Sequence, residues 1–98
     1  MRRVGLSDLD IAARVLLHVP QTDWDTAAQQ LIEQAHVADL WRKRHGVAHP
    51  DGGTGSLYAQ ASLLPRKVTS RCSAQYCAAL EAVLRALAAW RMRDHRDM

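Results

Sequence analysis

The sequence predicts an all-α domain, a small bundle of about four helices with a glycine-rich turn between the second and third. Three observations carry that prediction. Apolar residues recur at spacings of three and four in the long segments, and no stretch alternates as a strand would. The chain of 98 residues is 48% hydrophobic yet has no Phe and few aromatics, so Ala, Leu and Val must form its core, which suits close helix packing better than a sandwich. Gly, Pro and Ser stand where helices would end or begin. At this length the chain forms one domain with one modest core.

The first helix is expected over about residues 8–19. Ser7 is placed to cap it, and Asp8 and Asp10 lie in the first turn, where the helix dipole favours negative charge. Leu6 and Ile11 have the spacing of a hydrophobic staple. Pro20 ends the segment. Asp10, Arg14 and His18 make one narrow polar stripe on a helix otherwise apolar almost all round, so it must be covered on more than one side.

The second helix is expected over about residues 23–45, opened by a Thr22–Asp25 capping box and closed by Gly46 in a left-handed conformation. Its first half presents Trp24, Ala27, Ala28, Leu31, Ile32, Ala35 and Ala38 on one stripe. Val37, Leu40 and Trp41 then lie on a different side, a second face that either helix three folding back or another subunit must cover.

Ser56 is placed to cap a short third helix over residues 57–64, which Pro65 ends. A basic linker, PRKVTS, leads to the fourth helix over about residues 71–93, with 94–98 as a frayed tail. In that helix Tyr76, Leu80, Val83, Leu87 and Trp90 form a heptad seam. With Trp41, these residues are the expected oligomer or partner interface.

The charge is uneven. Residues 1–39 carry three arginines against six acidic side chains, a net −3. Residues 40–71 carry six basic side chains against one aspartate, a net +5. The remaining residues add +1, for a net +3 overall. The basic excess falls on Arg42, Lys43, Arg44, Arg66, Lys67 and Arg71. These are the candidate nucleic-acid contacts, to phosphates rather than to bases. A solvated helix end is the alternative, since cations also suit a helix C-terminus.

Other chemistries find weaker footing. His45 and His49 have an H-x₃-H spacing and Cys72 and Cys77 lie five apart, but a C-x₂-C pair is missing and Cys77 falls on the helix-four seam, where a small buried thiol is expected. No metal or other cofactor is expected. GGTGS lacks the P-loop lysine and follows a helix rather than a strand, so its glycines serve the chain reversal. No nucleophile is paired with a base at recognisable spacing, so no enzyme is expected. The chain has no run of about 18 apolar residues that would span a membrane and no signal peptide. Its cysteines read as free thiols of a cytoplasmic protein.

The stretch ADLWRKRHGVAHPDGGTGSLYAQA, residues 38–61, resembles a group of small all-helical alphaproteobacterial proteins of unknown function with the core A-D-x-[YW]-R-K-R-x-G-x-A-H-P-x-x-G-x-G-S-L. The likeness extends back to Met1. The matching positions are Asp39, Arg42, Lys43, Arg44, Gly46, His49, Pro50, Gly53, Gly55, Ser56 and Leu57, among which Asp39 with Arg42 or Lys43 reads as a helical ion pair. The group is associated with gene transfer agents, phage-like particles that package host DNA, and with their small terminase-like protein. That resemblance implies a homo-oligomeric DNA-packaging adaptor with weak non-specific binding to double-stranded DNA and a large terminase ATPase as partner. The helix-turn-helix of typical small terminases is missing here, so sequence-specific recognition is not implied. The alternative is a small regulatory or scaffolding protein that binds another protein through its second apolar face, without nucleic acid.

Overall fold

In the computed structural model, which describes residues 1–50 and 53–96, the chain forms four α-helices: α1 (Leu6–Leu17), α2 (Trp24–His45), α3 (Leu57–Ala61) and α4 (Ala74–Arg96). A 3-10 turn, Gln21–Asp23, leads into α2. Among the described residues there is no strand, only an isolated antiparallel bridge between His49 and Gly53. The all-α bundle expected from the sequence is the fold observed.

α1 is the hub. It packs chiefly on α4, then on α3 and on α2. Ile11, Ala12, Ala13, Val15 and Leu16 are all buried, three sides of one helix. Small residues let the neighbours approach: Ala28, Ala35, Ala38, Ala61, Ala79, Ala82 and Ala86 are buried at the helix contacts. Leu16, Ile32, Leu57 and Val83 fill the space between. Full burial of a side chain of that size stabilises by about 2 kcal/mol.

Several helix ends differ from expectation for local reasons. α1 starts at Leu6, so Ser7 lies inside the helix and Gly5 stands at its cap. Asp8 reaches back to the Gly5 amide at 2.8 Å and also accepts from the Tyr58 amide at 2.8 Å. One carboxylate thus ties the starts of α1 and α3 together. Leu6 is 85% exposed while Ile11 is buried, so no staple forms. The Thr22–Asp25 capping box gives way to the 3-10 turn, held by the Asp23 amide on the Pro20 carbonyl at 2.9 Å. Trp24 is fixed beside it by its indole N–H on the Val19 carbonyl at 3.0 Å.

Gly46 ends α2 with φ +72°, and Ser56 caps α3 through the Ala59 amide at 3.0 Å, both as expected. α3 stops at Ala61 rather than residue 64, because the chain tightens into i→i+3 turns at Leu63 and Leu64. α4 begins at Ala74, after Ser73 rather than Ser70, with the Ser73 hydroxyl accepting from the Tyr76 amide at 3.0 Å. It continues through Arg96, further than the expected residue 93. Of the tail expected to fray, residues 97 and 98 lie outside the described residues.

The α4 seam turns inward within the single chain. Tyr76, Val83 and Leu87 are buried, and Leu80 and Trp90 pack against the same core. Cys77 is exposed, not buried: it follows Tyr76 and is rotated about 100° away from the seam.

Candidate nucleic-acid interface

Two carboxylates organise the basic side chains of the middle of the chain. The first is Asp39, on the inner side of α2 and only 1% exposed. The periodicity of α2 puts Asp39 beside Ala35 and Ala38, facing the core, where an unpaired carboxylate would be costly. It is not unpaired. Arg42 reaches it at 2.9 Å and Lys43 at 3.2 Å, one turn further along the helix, and the Met1 amino group lies at 3.3 Å. Burial pushes the Asp39 pKa up, but hydrogen bonds from Arg42, Lys43 and the amino group outweigh it and hold it at about 2.

The glycine-rich turn closes over this pair of helix turns. Gly55 is buried with φ +91°, its backbone set against that of Asp39, and its carbonyl accepts from the Arg2 amide at 3.1 Å. His49 and Gly53 exchange two backbone hydrogen bonds at 2.8 and 3.0 Å, which makes the turn narrow. Both histidine rings pack on Trp41: His45 at 3.8 Å between centroids, and His49 edge-on at 5.0 Å. The H-x₃-H spacing therefore clamps a tryptophan. No group of three or more His, Cys, Asp or Glu that could hold a metal occurs among the described residues.

The second carboxylate is Asp10 on α1. Arg14 meets it at 3.1 Å, Arg71 with two nitrogens at 3.0 and 3.2 Å, and the Tyr76 hydroxyl at 2.7 Å. Burial pushes its pKa up, yet the hydrogen bonds from Arg71, Tyr76 and Arg14 lower it to about 2. Burial and that same hydrogen bond push the Tyr76 phenol up. Arg14 also donates to the Thr69 carbonyl at 3.0 Å, its own carbonyl accepts from the Lys67 amide at 3.0 Å, and its guanidinium lies over the Tyr76 ring.

The polar stripe of α1 is thus the strip on which the basic linker lies. Sequence reasoning assigned Asp10 and Arg14 no partner. The available signal was two opposite charges four residues apart on a helix otherwise apolar.

The six basic candidates are sorted by these anchors. Arg42 and Lys43 belong to the Asp39 group, and Arg71 to the Asp10 group. Arg66 lines one open groove with Arg14, Arg71, Asp10, Ser7 and Tyr58, about 370 Å³ in volume. Arg44 and Lys67 are exposed. Trp41, the remaining interface candidate, is half-buried beside exposed Val37 and Leu40.

Residues 2–87 match the family described as Domain of unknown function (DUF7742). The chain belongs to that family. The match covers α1 to α3 and the linker, and ends at Leu87 within α4, so Asp39, Asp10 and their arginine and lysine partners in this DUF7742 member lie inside it. No curated protein and no solved structure matches the chain. No helix among the described residues is long and apolar enough to cross a membrane.

Proposed function

We propose that this protein is a non-enzymatic DNA-packaging adaptor. In this reading it touches duplex phosphates without reading bases and works beside a large terminase ATPase, as the small terminase-like protein of a gene transfer agent would. One observation carries the reading. Three of the six basic residues of the middle segment, Arg42, Lys43 and Arg71, are held in place by two carboxylates, and each group keeps more positive than negative charge. Arg42 and Lys43 meet one Asp39, and Arg14 and Arg71 meet one Asp10. A guanidinium already oriented by a carboxylate loses less freedom on meeting a phosphate than a free one. The resemblance of residues 38–61 supplies the packaging context.

The test is a salt series on unrelated duplexes, read by fluorescence anisotropy. Binding that is similar across sequences and falls steeply with salt supports the reading. Absence of binding at low salt overturns it.

A second reading, a scaffolding protein that never touches nucleic acid, is favoured by the exposure of Val37 and Leu40 on α2. In that case the duplex experiment gives nothing, while the α2 face still binds protein.

A further inference from the structure

The outer face of α2 carries an anomaly. At 100° per residue, Glu33, Val37, Leu40 and Arg44 fall on one narrow stripe, opposite the side that buries Leu31, Ala35 and Ala38. A stripe facing away from the core should be polar. Here its centre is two branched apolar side chains, Val37 at 58% exposure and Leu40 at 52%. Trp41 flanks them, and with Val37, Leu40 and Arg44 it lines a shallow, mostly apolar groove. α1, α3 and α4 pack on other sides of α2, and among the described residues Arg93 of α4 reaches only the Glu33 end of this stripe.

The stripe also has a polarity. Its N-terminal end is negative, at Glu33, and its C-terminal end is positive, at Arg44. The spacings are four, three and four, those of a short heptad seam. These features restrict what can lie on it. A parallel copy would set Glu33 beside Glu33 and Arg44 beside Arg44. An antiparallel copy related by a two-fold axis between Val37 and Leu40 does the reverse. Val37 then meets Leu40 of the second copy, Leu40 meets Val37, and each Glu33 faces an Arg44.

We infer that α2 pairs with α2 of a second copy of this chain, antiparallel, through Glu33, Val37, Leu40 and Arg44. The surface is self-complementary, as a two-fold interface requires. Glu33 already meets Arg93 of its own chain at 3.3 Å, but that pair is exposed on both sides and yields readily to a second cation. The contact spans only about three helical turns, so it is a small interface and the dimer is weak, in the micromolar range. This pairing leaves the α4 seam where the fold puts it, inside each chain. It does not depend on the DNA reading.

The experiment is sedimentation equilibrium on the full chain across protein concentration, with circular dichroism on every variant to confirm the fold. The wild type should pass from monomer to dimer. Leu40→Glu, at an exposed position, should weaken the dimer about tenfold or more. Glu33→Arg alone and Arg44→Glu alone each oppose like charges twice per dimer and should each weaken it about tenfold. The double exchange, Glu33→Arg with Arg44→Glu, should return it to within about threefold of wild type. Arg93→Gln separates out the intrachain pair and should leave the dimer intact.

A wild type that stays monomeric up to about 1 mM overturns the inference, as does a double exchange no tighter than either single variant. Leu40 and Glu33 belong to neither basic group, so a monomer that still binds duplex overturns the pairing alone.

Discussion

The α-carbon of Gly55 sits so close to the backbone of Asp39 that a methyl group at Gly55 would overlap the Asp39 Cα, Cβ and amide nitrogen. The glycine-rich turn is therefore a lid fitted to one turn of α2, over the carboxylate that holds Arg42 and Lys43. Sequence reading assigned the glycines to a chain reversal, which is correct for the path but misses the fit.

Gly55→Ala combines a left-handed backbone, which costs an L-residue about 1–2 kcal/mol, with a backbone collision worth about 1–3 kcal/mol more. Gly46, also left-handed at φ +72°, has open space around it, so Gly46→Ala should cost only the first part, about 1 kcal/mol. Urea unfolding of the two variants checks the difference. Equal losses would mean that Gly55 is held by conformation only.

Acid should unfold the protein through two residues. The folded pKa values of Asp39 and Asp10 are both lowered to about 2, below the ordinary carboxylate range. A lowered folded pKa means stability that is fully present above the unfolded value and is lost as pH falls towards 2. Each should contribute about 2 kcal/mol at neutral pH. Stability should be flat above about pH 5 and fall below it. Asp10→Asn should remove about half of that acid slope, measured by urea unfolding at successive pH values.

The structure changes which basic substitutions are informative. Arg42 holds a carboxylate that is 1% exposed, so Arg42→Ala should cost about 2 kcal/mol and confound any binding assay. Lys43, mostly exposed, should cost under about 1 kcal/mol. The better probe is Arg44, Arg66 and Lys67 replaced together by Ala, because none of them holds Asp39 or Asp10. If all three touch phosphates, the salt slope of duplex binding should flatten by about 2–3 units with little loss of stability. An unchanged slope would mark them as solvated surface.

Both thiols should be open to reagent. Cys72 and Cys77 are free and exposed, so a native sample should react with about two equivalents of a thiol dye without prior unfolding. Chelator should leave its helicity unchanged. Slow reaction of one thiol, limited by unfolding, would contradict the exposure of Cys77.

Much of the fold was legible because its punctuation is local. Gly46 and Ser56 end and begin helices through their own backbone and hydroxyl chemistry, and each does so where the sequence placed it. Ser7 and Ser70 do not cap because Gly5 and Ser73 stand at those helix starts, and Thr22 does not because the chain enters α2 through a 3-10 turn. Asp8 spans two helices, and Arg71 turns to Asp10, so α4 starts later, at Ala74 after Ser73.

The candidate site was legible as a basic segment, and helical spacing pairs Asp39 with Arg42 and Lys43 as observed. The Asp10 group and the fit of the turn were not legible. Asp10 and Arg71 are 61 residues apart, and Gly55 meets Asp39 from the far side of a turn. Spacing along one helix carries no trace of either pairing. The α4 seam was read correctly as apolar and heptad-spaced, but periodicity does not say whether the partner helix lies in the same chain.

The preference of α1 for α4 has a consequence for synthesis. α1 is nearly apolar on three sides, it is synthesised before α2, α3 and α4, and its most extensive neighbour is α4, the last of these four. Through most of translation its buried face therefore has no native cover beyond α2 and the five residues of α3. Long-range closure of this kind slows folding and leaves apolar surface open to other nascent chains. A chaperone that recognises short apolar helices should hold this protein until α4 emerges.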